Sequence, residues 1–226
     1  MINIEKEYLN KDTCKFICDS LNKYTQKIPD PGIYGGVSNS EFAHKVKPSN
    51  PIAPYSNDPE YNVSIDLLTN LCVSMTRTIS DFYGIEYVLR SLFYSDMQEG
   101  GKNSLHIDNF YLDVDTKKLL PRPGMENDRA GLLYLNNSYE GGEIEFPLQG
   151  LKMKPDPGTF IFFEGTEEVP HLVNEVKSGR RNNIICFFTP KENHEERVGN
   201  PIGGRYTPEV ELTMEYFNQL NGTIDS

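Results

Sequence analysis

Tryptophan is absent from the sequence, and cysteine and histidine occur only four times each. The cysteines, Cys14, Cys18, Cys72 and Cys186, show no C-x-x-C spacing, which sets aside zinc-knuckle and thioredoxin-like redox sites. Cys14 and Cys18 stand four apart on a predicted helix and read there as small apolar residues. Long apolar runs are also missing: nothing approaches the ~18 residues of a membrane-spanning helix. The start, MINIEKEYLNKD, lacks the basic-then-apolar order of a secretory signal. Positive charge is scarce, 22 Lys and Arg against 33 Asp and Glu, for a formal net charge of -11. Such a surface repels a phosphate backbone, so neither nucleic acid nor a membrane is expected as partner. The expectation is a soluble, reduced, cytoplasmic protein; its oligomeric state is not legible. What is present is an apolar fraction of 37% with 11% aromatics, enough for a packed core in a 226-residue chain.

The whole chain, 1–226, reads as one domain: a helical part over about 1–84, a core over about 85–190 and an extension over 191–226. A first helix is predicted over 12–24, capped by Asp12 or Thr13, with Phe16, Ile17, Leu21 and Tyr24 at helical spacing. A second is predicted over 64–83. Ile65, Leu68, Leu71, Cys72, Met75 and Ile79 form its apolar stripe, and Gly84 ends it. Between them, 28–60 is rich in Pro, Gly, Ser and Asn, a long connection that could close over a site as a lid. After Gly84 the pattern changes to about eight short apolar runs cut by turn residues, from YVLRSLFY to RNNIICFFTP. No helix-length pattern separates them, so the predicted fold class is mainly β, a sandwich or jelly roll with N-terminal helices, rather than a parallel α/β sheet. One further helix is predicted near 209–220.

Two features within the strand block carry chemistry. In His106-Ile107-Asp108, a strand would point residues i and i+2 to the same side, so imidazole and carboxylate could converge on one ion. His171 lies much further along, in VPHLVNEVKSGRRNNIICFF. Two imidazoles and one carboxylate on one face leave coordination positions open, the ligand set of non-haem Fe(II) oxygenases. Arg180 and Arg181 follow His171 at the start of a predicted strand. One of them could reach inward and grip a carboxylate through two parallel hydrogen bonds. His44 and His194 fall outside the strand block.

These pieces, with Tyr134-Leu135-Asn136, Gly141-Gly142-Glu143-Ile144-Glu145-Phe146-Pro147, Gly158-Thr159-Phe160-Ile161-Phe162-Phe163 and Gly179-Arg180-Arg181, stand in the order and spacing of a known family. Over about 94–190 the chain resembles the Fe(II)- and 2-oxoglutarate-dependent dioxygenases of the prolyl 4-hydroxylase type. The resemblance implies a double-stranded β-helix with the N-terminal helices packed on its major sheet. It implies His106, Asp108 and His171 as iron ligands, which are also the catalytic residues. Arg181 is implied as the group binding the far carboxylate of 2-oxoglutarate, with Arg180 as the alternative if the strand is offset by one. Tyr134 is implied on the same carboxylate, and Tyr94 and Arg129 near substrate. Fe(II), 2-oxoglutarate and O2 would then be required, with ascorbate a candidate reductant. A prolyl residue in a peptide or protein would be hydroxylated, with release of succinate and CO2. The chain departs from the family at Glu175, where many relatives have Pro, and at Cys186 or Phe187, where many have Trp. At the level of residues alone three alternatives stay open. They are the same chemistry on a free amino acid or another small molecule, a cupin-like metal enzyme without 2-oxoglutarate, and a non-enzymatic jelly-roll module.

Overall fold

The first helix, α1 (Lys11–Thr25), starts directly after Asn10, which is not itself helical. The Asn10 side-chain oxygen accepts the Thr13 N–H at 2.8 Å, so Asn10 is the cap rather than Asp12 or Thr13. The second, α2 (Pro59–Tyr83), begins earlier than its apolar stripe, because Pro is well suited to a first helical turn. It ends at Gly84, whose φ of 70° is the left-handed turn that glycine adopts without strain. This computed structural model describes residues 1–25, 43–46, 59–113, 116, 118–122, 124–125 and 127–193. Most of the predicted lid, the helix near 209–220, the His44 side chain and His194 therefore lie outside the described residues.

The strands are β1 (Ile2–Glu5), β2 (Ala43–Val46), β3 (Tyr87–Gln98), β4 (Asn103–His106), β5 (Phe110–Asp113), β6 (Lys118–Pro121), β7 (Arg129–Tyr134), β8 (Tyr139–Gly141), β9 (Ile144–Phe146), β10 (Leu151–Met153), β11 (Phe160–Glu164), β12 (His171–Val173) and β13 (Val176–Pro190). A seven-stranded major sheet runs β1-β11-β7-β13-β3-β2, with β8 also paired to β13. A four-stranded minor sheet runs β10-β9-β12-β4, and β5 and β6 form a separate hairpin. The β11–β7, β7–β13 and β13–β3 pairings are antiparallel. This is the expected jelly roll. The N-terminal part is not purely helical, however, since β1 and β2 close the two ends of the major sheet.

The major sheet buries both faces, and the pleat sorts its side chains between two cores. Leu92, Tyr94, Leu133, Phe160, Phe162, Ile184, Cys186 and Phe188 point out toward Cys14, Ile17, Leu21, Leu68, Met75 and Ile79 of the helices. Ala130, Leu132, Tyr134, Ile161 and Phe163 point inward, where they meet Ile144 and Phe146 of the minor sheet. Side-chain identity on β13 is therefore decided by parity. Even-numbered residues up to Cys186 face the helices, and odd-numbered residues from Arg181 to Phe187 face the interior.

Candidate metal centre

His106 ends β4 and His171 opens β12, and the two stand opposite each other in the pairing of those strands. Their ring centroids are 4.2 Å apart. Asp108 is not on a strand. Past His106 the chain enters a turn closed by Phe110 N–H donating to the Ile107 carbonyl at 3.2 Å. The turn, not the i, i+2 alternation of a strand, brings the carboxylate round while Ile107 is buried beside Leu105. The result still converges: Asp108 Oδ1 is 3.6 Å from His106 Nε2 and Oδ2 is 3.8 Å from His171 Nε2. One ligand atom from each of the three lies within 4.8 Å of the others.

The tautomers suit a cation. His106 Nδ1 lies 2.7 Å from the Ser104 carbonyl and His171 Nδ1 lies 3.2 Å from the Val169 carbonyl. A carbonyl oxygen only accepts, so each Nδ1 carries the proton and each Nε2 offers its lone pair to the shared space. Burial lowers the His171 pKa to about 4. That value includes a smaller lowering by the neighbouring His106, and Asp108 and the Val169 carbonyl oppose both effects. His171 is thus a neutral imidazole, walled by Phe163 at 4.7 Å and Phe146 at 5.7 Å between ring centroids. Two neutral nitrogens and one carboxylate form a borderline donor set suited to a divalent transition metal. The side chains of His106 and Asp108 are more exposed than that of His171, which leaves the cluster approachable from the His106 side.

The offset between Arg180 and Arg181 is settled by the pleat. Arg181 faces inward and is 2% exposed. It donates to Tyr134 Oη at 2.7 Å and to Asn183 Oδ1 at 2.8 Å, and its guanidinium carbon sits 4.9 Å from the Tyr134 ring centre. Tyr134 shares a cluster with Phe146 and Phe163, the residues stacked on His171, so guanidinium and metal candidate open into the same interior. Gly142 makes room for Arg181. Its φ is 65°, and a Cβ there would stand 3.2 Å from Arg181 Cδ and 3.0 Å from the Tyr139 ring. Arg180 faces the helices and pairs with buried Asp96.

Two expectations do not match the placement found. Tyr94 lies on the helix face of the sheet, fully buried, donating to Asn22 Oδ1 at 2.5 Å and accepting from Asn182 Nδ2 at 2.8 Å. Arg129 lies on that face too, 4.5 Å over the Tyr83 ring and donating to the Asn127 and Asp128 carbonyls. Neither borders the metal cluster, because both have the strand parity opposite to Tyr134 and Arg181. Sequence reading also passed over Asn109, Asn183 and Tyr139. Asn109 follows the metal-side Asp108 and is 1% exposed. It donates its N–H to the Gly165 carbonyl (3.1 Å), accepts the Arg122 N–H (2.6 Å) and donates Nδ2 to the Asp128 carbonyl (3.0 Å). A polar residue next to a candidate ligand, and another two places after the inward arginine, were the available signals.

Residues 92–189 match the family model of the 2OG-Fe(II) oxygenase superfamily. Prolyl 3-hydroxylase 1 of Gallus gallus is 30% identical over 112 residues, 45% of this chain and 15% of that protein. The chain thus spans about 15% of the length of that relative. Among solved structures, a viral collagen prolyl hydroxylase from Paramecium Bursaria Chlorella virus-1, in complex with 2OG, superposes with a TM-score of 0.56 at 18% identity. That match covers 83% of this chain and 94% of the other. A prolyl hydroxylase from Trichoplax adhaerens, in complex with a hypoxia inducible factor oxygen degradation domain peptide fragment, gives 0.60 at 14% identity, covering 87% and 86%. At these identities the two structures bear on the fold alone.

Proposed function

We propose, from the premise that residues 92–189 form a 2OG-Fe(II) oxygenase domain, that this protein hydroxylates prolyl residues in a peptide or protein substrate. The observation that carries the reading is the convergence of His106 Nε2, Asp108 and His171 Nε2 in one interior with the inward guanidinium of Arg181. The prolyl substrate is supported by the sequence relative, a prolyl 3-hydroxylase. The motifs had pointed to the prolyl 4-hydroxylase type, so the ring carbon attacked is a property for the product to decide.

His106, Asp108 and His171 would hold Fe(II), and Arg181 with Tyr134 would hold the far carboxylate of 2-oxoglutarate. When bound, this pair supplies with O2 a coupled oxidation, in which 2-oxoglutarate loses CO2 to become succinate and a substrate C–H becomes C–OH. The chain's own part is preparation. The Ser104 and Val169 carbonyls hold each Nδ1, so each Nε2 is turned to the shared space. Asp108 brings a single negative charge, which leaves a divalent ion electrophilic. Phe146 and Phe163 keep water from the buried side of His171, directing access to the side left open by His106. Arg181, fixed by Tyr134 and Asn183, offers a charge already desolvated and oriented, so binding an anionic co-substrate costs little reorganisation.

The test is succinate release. Purified protein is loaded anaerobically with Fe(II) and 2-oxoglutarate, air is admitted, and succinate is measured with and without proline-rich peptides. Peptide-stimulated succinate, with one oxygen gained on a prolyl residue by mass spectrometry, is expected. Hydrolysis of the peptide then separates 3-hydroxyproline from 4-hydroxyproline. Succinate that no peptide stimulates would overturn the peptidyl substrate, and none at all from iron-loaded protein would overturn the oxygenase reading.

A further inference from the structure

The three candidate ligands are not held alike. His106 and His171 are fixed by the pairing of β4 with β12, but Asp108 stands in a turn beyond the end of β4. What holds that turn is the next residue. Asn109 is buried and bonds in three directions: its N–H donates to the Gly165 carbonyl, its carbonyl accepts the Arg122 N–H, and its Nδ2 donates to the Asp128 carbonyl. The fit against Gly165 is close, since a Cβ on that residue would stand 2.5 Å from the Asn109 side chain. The Asp108 carboxylate is therefore only as well placed as the segments to which Asn109 is tied.

One of those ties ends on a buried charge. Asp128 is 0% exposed, and its Oδ2 lies 3.1 Å from Nε of Arg90 on β3. The strand ladder explains how Arg90 comes to be there. Phe187 pairs with Ser91 and Phe188 with Leu89, so Arg90 is the extra residue of a β-bulge. The bulge reverses the parity of β3: after it Leu92 and Tyr94 pack toward the helices, and before it Tyr87 and Leu89 do. Arg90 thereby turns to the interior face, where its guanidinium carbon is 5.4 Å from the centre of the Phe187 ring. A buried ion pair adds little net stability over an apolar pair of the same volume, and its use lies in holding one arrangement. One fixed arrangement is what a ligand outside the sheet needs.

We infer that Arg90 and Asp128 are positioning residues for Asp108: the pair pins the backbone at Asp128, that carbonyl holds Asn109, and Asn109 sets the turn that carries the carboxylate. This rests on the metal-centre reading above. It goes beyond it by giving a role to two residues that stand outside the ligand cluster and outside every motif of the sequence. A role exercised through Asp108 has a signature: it disappears when Asp108 is removed, whereas a contribution to packing at large persists.

The test is Mn(II) binding to the full chain, without co-substrate or turnover, followed by the electron paramagnetic resonance of free Mn(II). Arg90→Met keeps an apolar stem and removes the cation, and Asp128→Asn keeps the shape and removes the anion. Each should raise the Mn(II) Kd about tenfold to hundredfold, the usual effect of a residue supporting a metal ligand. Arg90→Lys, which keeps the charge, should recover most of that loss. In an Asp108→Ala background, Arg90→Met should have no further effect. If the stranded Asp128 carboxylate unfolds Arg90→Met, the double variant Arg90→Met, Asp128→Leu replaces the whole pair by apolar groups. It should stay folded by circular dichroism and still bind Mn(II) at least about tenfold more weakly. Wild-type affinity in the folded variants would overturn the inference. So would a loss of the same factor with and without Asp108, because the pair would then act on the fold at large. A wild type that does not bind Mn(II) would instead bring down the metal centre, and the inference with it.

Discussion

Replacing Asp108 with alanine should leave the metal-free fold almost untouched and remove its response to metal. In the metal-free protein the Asp108 carboxylate faces two ring nitrogens at 3.6 and 3.8 Å, both carrying lone pairs because their Nδ1 protons are committed to backbone carbonyls. The carboxylate thus gains no hydrogen bond from either ring, and truncating it loses little. The change in melting temperature should stay within about 2 °C. Metal adds a large term only when all three donors are present. At a free metal concentration of about 100 times Kd, binding stabilises by about 2.7 kcal/mol. For a chain of this size that is roughly 5–10 °C. If losing the carboxylate raises Kd about a hundredfold, the same metal concentration gives only ~0.4 kcal/mol, a shift of roughly 1 °C. The assay is thermal unfolding by circular dichroism with and without Mn(II), for wild type and Asp108→Ala. A variant that keeps the wild-type shift would refute the assignment of Asp108, and a wild type with no shift would refute the metal centre.

The two arginines should separate by readout. Arg181→Ala should weaken 2-oxoglutarate by at least about a hundredfold. Arg180→Ala should leave that affinity near normal and cost about 2–3 kcal/mol in denaturant unfolding. That is below the full value for a buried pair, since the Arg180 side chain is 34% exposed while Asp96, at 2%, is the partner stranded. The reverse pattern would refute the strand parity. Asn109→Ala removes the Nδ2 bond to the Asp128 carbonyl and should raise the metal Kd about tenfold to hundredfold, the usual effect of a residue supporting a ligand. Wild-type metal affinity in that variant would show that the turn holds Asp108 without it. The buried thiols give an alkaline signature. Burial pushes Cys14 and Cys18 up to about 11 and Cys72 up to about 12, against an ordinary value of 9.0. A thiol raised in the fold ionises first in the unfolded chain, so stability is full below about pH 9 and falls as pH rises through the folded values. Native protein should resist iodoacetamide at mildly alkaline pH and react when unfolded; rapid alkylation of the native protein would contradict this burial.

Much of the site was legible because its chemistry is written in residue types that strands rarely need. His106, Asp108 and His171 are polar residues among apolar neighbours, and the structure brings the three together. What failed was handedness of face. On β3 and β7 both sides of the sheet are covered, so apolar residues occur at consecutive positions and the period-2 signal that tells inside from outside is erased. Tyr94 and Arg129 were therefore assigned to the wrong side by position alone. The short pieces failed for a different reason. β1, β2 and β8 have three or four residues each, too few to show alternation, and exist because a longer neighbour offers its hydrogen bonds. The turn at Asp108 reaches the same convergence a strand would have given, so the three side chains meet although the local premise of a strand at Asp108 does not hold.

The parity of β13 matters enough that the structure defends it on the opposite face. Behind the inward pair Arg181 and Asn183 stand Arg180 and Asn182, each tied to other elements. Arg180 pairs with Asp96, while Asn182 Nδ2 reaches Tyr94 Oη at 2.8 Å and Asp96 Oδ1 at 3.0 Å. The Asn182 N–H donates to Asn136 Oδ1 at 2.9 Å, and Asn136 Nδ2 returns to the Arg180 carbonyl at 2.9 Å. Tyr94 carries the chain of contacts to Asn22 on α1. An apolar core would tolerate a one-residue slip of β13 at modest cost, since Ile184 and Ile185 are interchangeable in kind. This polar network does not, because a slip would turn Asn182 inward and leave Asp96 buried without its partners. Buried polar groups add little net stability when satisfied, but they penalise every alternative register. The role of the helix-side network is therefore to hold the strand so that Arg181 and Asn183, and not their neighbours, face the interior shared with His171.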